Sequence, residues 1–196
     1  MKKIGILVSH QGTNFQAIVD ACDTGRIGAK IVVAISNNSQ SEGLKRARRA
    51  SIEAVHLSSS THPNPDDLDA AIARVFESRN VDIVVTAGYM KKLGSITLRK
   101  FSGKILNVHP SLLPKHGGKG MFGMNVHKAV IKAGDSESGI TIHWLDEQYD
   151  TGPLIAQKRV RVFDGDTPES LAKRILVEEH ELLVATLEKL TKDGEI

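Results

Sequence analysis

Asn107 and His109 stand one residue apart in the run Asn107-Val108-His109-Pro110-Ser111-Leu112-Leu113-Pro114. Residues 105–108 form a short, mostly apolar run that reads as a strand. In a strand, positions two apart face the same side, so the amide and the imidazole share a face. An amide donor can stabilise a developing oxyanion, and an imidazole can move a proton near neutral pH. The carboxyl end of a parallel strand is also where open α/β sheets place their ligands. The same residues fit a capped strand end with a surface histidine, and residue types alone leave both readings open.

Two further loops offer chemistry. Ser9-His10-Gln11-Gly12-Thr13-Asn14 lies between an apolar run and an amphipathic one. Free N–H groups at a helix N-terminus bind phosphate, Gly12 lets a ligand approach the backbone, and Thr13 and Asn14 add polar side chains. The loop matches neither the dinucleotide fingerprint nor the P-loop, whose lysine it lacks. An ordinary capped turn fits it equally well. Trp144-Leu145-Asp146-Glu147-Gln148-Tyr149-Asp150-Thr151-Gly152-Pro153 is acidic and closes on a Gly-Pro turn. Asp150 there could orient or charge-stabilise a histidine, but taken alone the segment reads as a solvated acidic turn.

Other residues carry less. None of the 8 histidines has the tight spacing of a zinc site, so no metal is expected. Ser111 lacks a nucleophile-elbow context. Cys22 falls on the apolar side of a helix and reads as core. Arg46, Arg48 and Arg49, like Lys158, Arg159 and Arg161, are expected on solvated faces. The glycine-rich residues 115–123 read as a mobile loop, a candidate lid over Asn107 and His109.

The elements that position these groups follow from periodicity. Apolar runs at residues 4–8, 31–35, 54–57, 83–86 and 105–108 read as strands. Residues 14–22, with a Thr13/Gln16 capping box, 42–50, a segment opened by Asn64-Pro65, and a long one opened by Thr167-Pro168 read as helices. Continuous apolar strands between helices predict a Rossmann-like α/β fold: a mainly parallel sheet with helices on both faces. Residues 139–144 and 156–162 alternate more and predict antiparallel strands toward the C-terminus. Length (196 residues), 40% hydrophobic content and the lack of a linker predict one domain over 1–196. No apolar run approaches a membrane span and no signal-peptide pattern is present, so a cytoplasmic protein without membrane contact is expected. A net charge of +3 with 4% aromatics argues against nucleic acid as a partner and suits small anionic substrates.

Together with Ala87-Gly88-Tyr89-Met90 and Asp150-Thr151-Gly152-Pro153, the loops at 9–14 and 107–114 are recognisable. Over nearly its whole length the chain resembles the folate-dependent phosphoribosylglycinamide formyltransferases. The resemblance implies transfer of a formyl group from 10-formyltetrahydrofolate to the amine of glycinamide ribonucleotide in purine synthesis, without a metal. It implies Asn107 as oxyanion donor and His109 as general acid. Asp150 would hold the histidine and relay protons through water. Gly12, Thr13 and Asn14 would bind phosphate, and Glu179, beside Glu178, the ribose or amine. Met90, Lys91, Lys92 and Leu93, with Asn107, would line the folate pocket under residues 145–150.

The chain departs from the family pattern in places. His10 replaces a glycine. Residues 117–125 form a longer stretch in which a frequent histidine is replaced, with Asn125 nearby, while His127 matches a family position. An arginine expected near residues 65–67 is absent. Methionyl-tRNA formyltransferase and formyltetrahydrofolate hydrolase resemble the same core but add domains for which this length leaves no room. Another folate-dependent formyltransferase, or the hydrolase, stays the alternative, and a non-catalytic nucleotide-binding module is the reading outside enzymes. A monomer or a homodimer is expected.

Overall fold

The computed structural model describes residues 1–194; Glu195 and Ile196, the end of the expected 1–196 domain, lie outside the described residues. The apolar runs form β1 (Lys2–Val8), β2 (Ala29–Ser36), β3 (Glu53–His56), β4 (Ile83–Thr86) and β5 (Ile105–His109), which pair in parallel. The more alternating segments form β6 (Glu137–Trp144) and β7 (Leu154–Arg161), which add in antiparallel sense. The seven strands lie in the order β3-β2-β1-β4-β5-β6-β7. The chain runs outward from β1 to β3 and then crosses back to β4. The β1/β4 junction is therefore the switch point at which open α/β sheets leave a crevice.

Among the described residues six helices cover the sheet: α1 (Thr13–Asp23), α2 (Glu42–Arg49), α3 (Pro65–Ser78), α4 (Ser95–Lys100), α5 (Met124–Ala133) and α6 (Pro168–Lys192). Phe15 and Ile18 of α1, Ala47 of α2 and Leu183 and Leu187 of α6 pack with Ile4, Ile6 and Val8. On the other face, Ile72 and Phe76 of α3 and Leu98 of α4 pack with Leu7, Val33 and Val84. Gly5 lies under Phe76, whose ring would be 2.6 Å from a Cβ there. Val130 of α5 closes a smaller cluster with Ile140, Val160, Leu171 and Ile175. The predicted α/β fold, helices on both faces and antiparallel return are all observed. Among the described residues no helix is long and apolar enough to cross a membrane.

Two local expectations are corrected. The Thr13/Gln16 capping box does not form. The N-cap is Gly12, left-handed at φ 65°, without a side-chain cap bond, and Gln16 instead contacts Asp20 and Arg46. Arg46 is not simply solvated: its Nε donates to the Gln11 carbonyl at 2.9 Å and bridges the first loop to α2. The helices α4 and α5 are not anticipated by the apolar pattern. Their buried stripes are short, Thr97 and Leu98 in one, Val126, His127 and Val130 in the other.

Candidate active site

β5 carries Asn107 and His109 between β4 and β6. Register places Asn107 beside Thr86 on β4 and His143 on β6, and His109 beside Thr141. The Asn107 amide is held at both ends. Thr86 Oγ1 donates to its Oδ1, and its Nδ2 lies 3.0 Å from His143 Nε2. His143 Nδ1 lies 3.0 Å from the Trp144 carbonyl, which can only accept. Burial pushes His143 below the usual histidine range.

His109 is only 4% exposed, so the surface-histidine reading is set aside. Its Nε2 donates to the His116 carbonyl at 2.9 Å. That leaves Nδ1 on the side of Asp150, 3.6 Å from its Oδ2. Buried His127 of α5 is a neighbour: desolvation first, and the His109 charge second, depress it.

Asp150 leaves the expected solvated turn and points inward. It adopts φ 57°, a left-handed conformation that aspartate tolerates. Its Oδ2 accepts from Gly118 N at 2.8 Å, and its Oδ1 lies 3.7 Å from His143 Nε2. Gly152 makes the approach feasible, because a Cβ there would sit 1.8 Å from the Trp144 carbonyl. Asp146 holds the rest of the loop through Gln148 N and Thr151 Oγ1, both at 2.9 Å, while residues 146–149 stay exposed.

Residues 115–118 of the glycine-rich stretch are braced. The Lys115 carbonyl accepts from Ser111 Oγ at 2.7 Å, and His116 Nε2 lies 2.7 Å from Asp135. Lys115 and most of residues 119–123 are exposed. The stretch forms a wall against His109 and Asp150, with an exposed tip.

At the β1/β4 junction, Ser9 joins two loops: its N–H donates to the Gly88 carbonyl at 3.2 Å, and its Oγ accepts from Met90 N at 2.8 Å. Met90, Lys91 and Lys92 are exposed beside this junction, whereas Leu93, 5% exposed, packs into the core against α3 and α4. A residue missed in the sequence sets that turn. Asp69, buried on α3, accepts from Ile96 N at 2.7 Å and Gly94 N at 3.1 Å. Lys92 Nζ lies 5.3 Å from the Tyr149 ring centroid and spans from this segment to the acidic loop.

Gly12 and half-buried Thr13 open α1, and Asn14 Nδ2 donates to Glu179 Oε1 on α6. Asn14 Oδ1 is buried and has no hydrogen-bond partner among the described residues. Desolvation pushes the Glu179 carboxyl up to about 7. Glu178 turns the other way and pairs with Lys158 on β7. His10 is not among the residues with positive φ, so replacing a glycine there forces no strain.

The site thus joins an amide fixed at both ends, an imidazole with one nitrogen turned toward a carboxylate, and a helix N-terminus at the sheet crossover. That set suits acyl transfer to an anionic acceptor. Thr86, Asp69 and His143 were not signalled by any local motif. Thr86 is the one polar residue of an otherwise apolar strand, and that was the available clue.

The formyl transferase family matches residues 2–187. The phosphoribosylglycinamide formyltransferase of Haemophilus influenzae is 40% identical over 98% of this chain and 88% of its own length. The chloroplastic phosphoribosylglycinamide formyltransferase of Arabidopsis thaliana is 41% identical over 93% of this chain, which spans only 63% of that protein. Among solved structures, glycinamide ribonucleotide transformylase 1 from Symbiobacterium toebii superposes with a TM-score of 0.92 at 38% identity, covering 98% of this chain and 89% of that one. With a family match along almost its whole length, the chain belongs to the formyl transferase family of enzymes.

Proposed function

We propose that this enzyme transfers the formyl group of 10-formyltetrahydrofolate to the amine of 5-phosphoribosylglycinamide, a step of purine synthesis, and that residues 1–196 act as one formyltransferase domain. The observation that carries the reading is the convergence of Asn107, His109 and Asp150 at the end of β5. The relatives' names support the substrates.

In this reading Gly12, Thr13 and Asn14 hold the phosphate end of the ribonucleotide at the N-terminus of α1. Glu179 takes the ribose or the amine. Met90, Lys91 and Lys92 border the folate, and Leu93 shapes that wall from within the core. The amine nitrogen attacks the formyl carbon, a C–N bond forms, and negative charge gathers on the formyl oxygen. Asn107 Nδ2–H donates to that oxygen. Loss of such a donor costs on the order of 3 kcal/mol in comparable acyl transfers. The intermediate collapses by breaking the bond to the folate nitrogen, which takes a proton from His109 Nδ1. The proton lost by the amine returns through water to the His109–Asp150 pair, so the enzyme ends as it began. Both substrates are small molecules, and holding the amine against the formyl carbon is itself a large part of the rate.

Turnover with purified protein tests the reading, each substrate omitted in turn. Formylated ribonucleotide is expected only when both are present. Release of tetrahydrofolate without the ribonucleotide would mark a hydrolase, and silence from a folded protein that binds both would reject these substrates as a pair.

A further inference from the structure

We propose that Thr86 and His143 are positioning residues that fix which end of the Asn107 amide faces the cleft. The inference rests on the reading of Asn107 as oxyanion donor and extends it to groups that do not touch substrate. A carboxamide has a donor end and an acceptor end of nearly equal shape. Turned the wrong way, Asn107 would present Oδ1 to the developing oxyanion and repel it.

Three neighbouring strands set the orientation, because Thr86, Asn107 and His143 lie in one row across β4, β5 and β6. The row ends on a group whose role is not adjustable. The Trp144 carbonyl only accepts, so His143 Nδ1, 3.0 Å away, must donate. A neutral imidazole carries one N–H, so Nε2 is left as an acceptor. At 3.0 Å it takes an N–H of Asn107 Nδ2. From the other side the Thr86 hydroxyl donates to Asn107 Oδ1; its alternative acceptor, the Leu106 carbonyl, is farther at 3.2 Å. His143 selects this orientation, and the Thr86 hydroxyl, able to donate or to accept, reinforces it by giving its proton to the nearer acceptor. One Nδ2 proton is committed to His143, and the second remains for the substrate oxygen.

The row works only while His143 is neutral. Three charged or titratable groups act on it: Asp150, with Oδ1 3.7 Å from Nε2, Asp146, and His109. The two carboxylates favour an imidazolium, and His109 and burial oppose it. His143 is wholly buried, and burial prevails. Protonation would turn Nε2 into a donor aimed at the Asn107 N–H, and the amide would lose its orientation.

Thr86→Val keeps the shape and removes the hydroxyl. We expect kcat to fall about 10-fold, part of the 10²–10³ that loss of the donor itself costs. KM for both substrates should stay within about twofold, and Thr86→Ser should recover most of the rate. His143→Gln offers an acceptor oxygen and does not titrate. It should keep more activity than His143→Leu, and the acid-side inflection in kcat expected of the parent should be absent from it. In an Asn107→Ala background neither Thr86→Val nor His143→Leu should slow the reaction further, because no amide is left to orient. A Thr86→Val enzyme as fast as the parent, or additive losses in that background, would overturn the inference and make the row merely structural. An Asn107→Ala enzyme with parental turnover would instead remove the oxyanion reading on which it rests. Should Thr86→Val fail to fold by thermal melt, the two His143 variants decide.

Discussion

The two ends of the candidate site are built differently. In the proposed reading, chemistry at the β5 end rests on side chains fixed by strand register: Asn107, His109 and His143 are set by backbone ladders and each has a polar partner. In the same reading, recognition at the β1 end rests on a left-handed glycine, a helix N-terminus and a polar pair, Asn14 and Glu179, that is only partly satisfied. The difference matches two tasks. A transition state needs donors held in place before the reaction, whereas a ligand can complete a site whose polar groups are waiting for partners.

Separate replacement of the two ends tests that division. His109→Ala should lower kcat by a factor on the order of 100 or more and leave ribonucleotide affinity nearly unchanged. Calorimetric binding alongside single-turnover kinetics measures both. If affinity falls as far as rate does, the ends do not act independently.

Gly12→Ala should do the reverse. A Cβ there would lie 3.0 Å from the Gly43 Cα at φ 65°, so the loop must shift against backbone. The left-handed conformation alone costs about 1–2 kcal/mol for a non-glycine residue. KM for the ribonucleotide should rise about 10-fold or more while the single-turnover rate at saturation changes little. A selective fall in saturated rate would show that the first loop also positions the amine.

The two ends were unequally legible in the sequence. Asn107 and His109 were readable because two-residue spacing on a strand is a local rule. Gly12 to Asn14 stood out for the same reason, at the start of a helix. Asp150 was not readable from its own segment, because its approach to His109 depends on Gly152 packing against Trp144, a contact made only after β6 and β7 fold. Thr86 and His143 were hidden because strand order, not spacing, makes them neighbours of Asn107. Arg46 looked solvated because its helix is amphipathic, and its bond to Gln11 is tertiary. The parallel fold was legible from five apolar runs, whereas α4 depends on Asp69 reaching across from α3.

Glu179 sharpens the comparison through pH. Burial holds its carboxyl up to about 7, against about 4.5 for an ordinary glutamate. Between those values the folded protein keeps a proton that the unfolded chain has released. Stability attributable to this group is therefore greatest below about pH 4.5 and falls as pH rises to about 7, by at most about 3 kcal/mol. Glu179→Gln should remove that slope, so the variant should be the more stable one near pH 8, by denaturant unfolding. A slope unchanged in the variant would assign the proton elsewhere.

The smallest expected effect lies between the two ends, where Lys92 reaches the Tyr149 ring. Both side chains are exposed, and an exposed cation–π contact contributes about 0.5–1 kcal/mol. If the contact holds the acidic loop over bound folate, Lys92→Ala and Tyr149→Leu should each raise the folate KM by about two- to fivefold with kcat unchanged. The double variant should be no worse than either single one, since each removes the same contact. Lys92 could instead act as a bare charge toward the anionic folate. The parent would then show a steep salt dependence of KM that Lys92→Ala loses, and Tyr149→Leu would behave like the parent. Because neither residue belongs to the strand ladder or to the helix N-terminus, any large loss of kcat in these variants would mean that the acidic loop carries Asp150 with it as one unit, and that the chemical end is less rigid than its register implies.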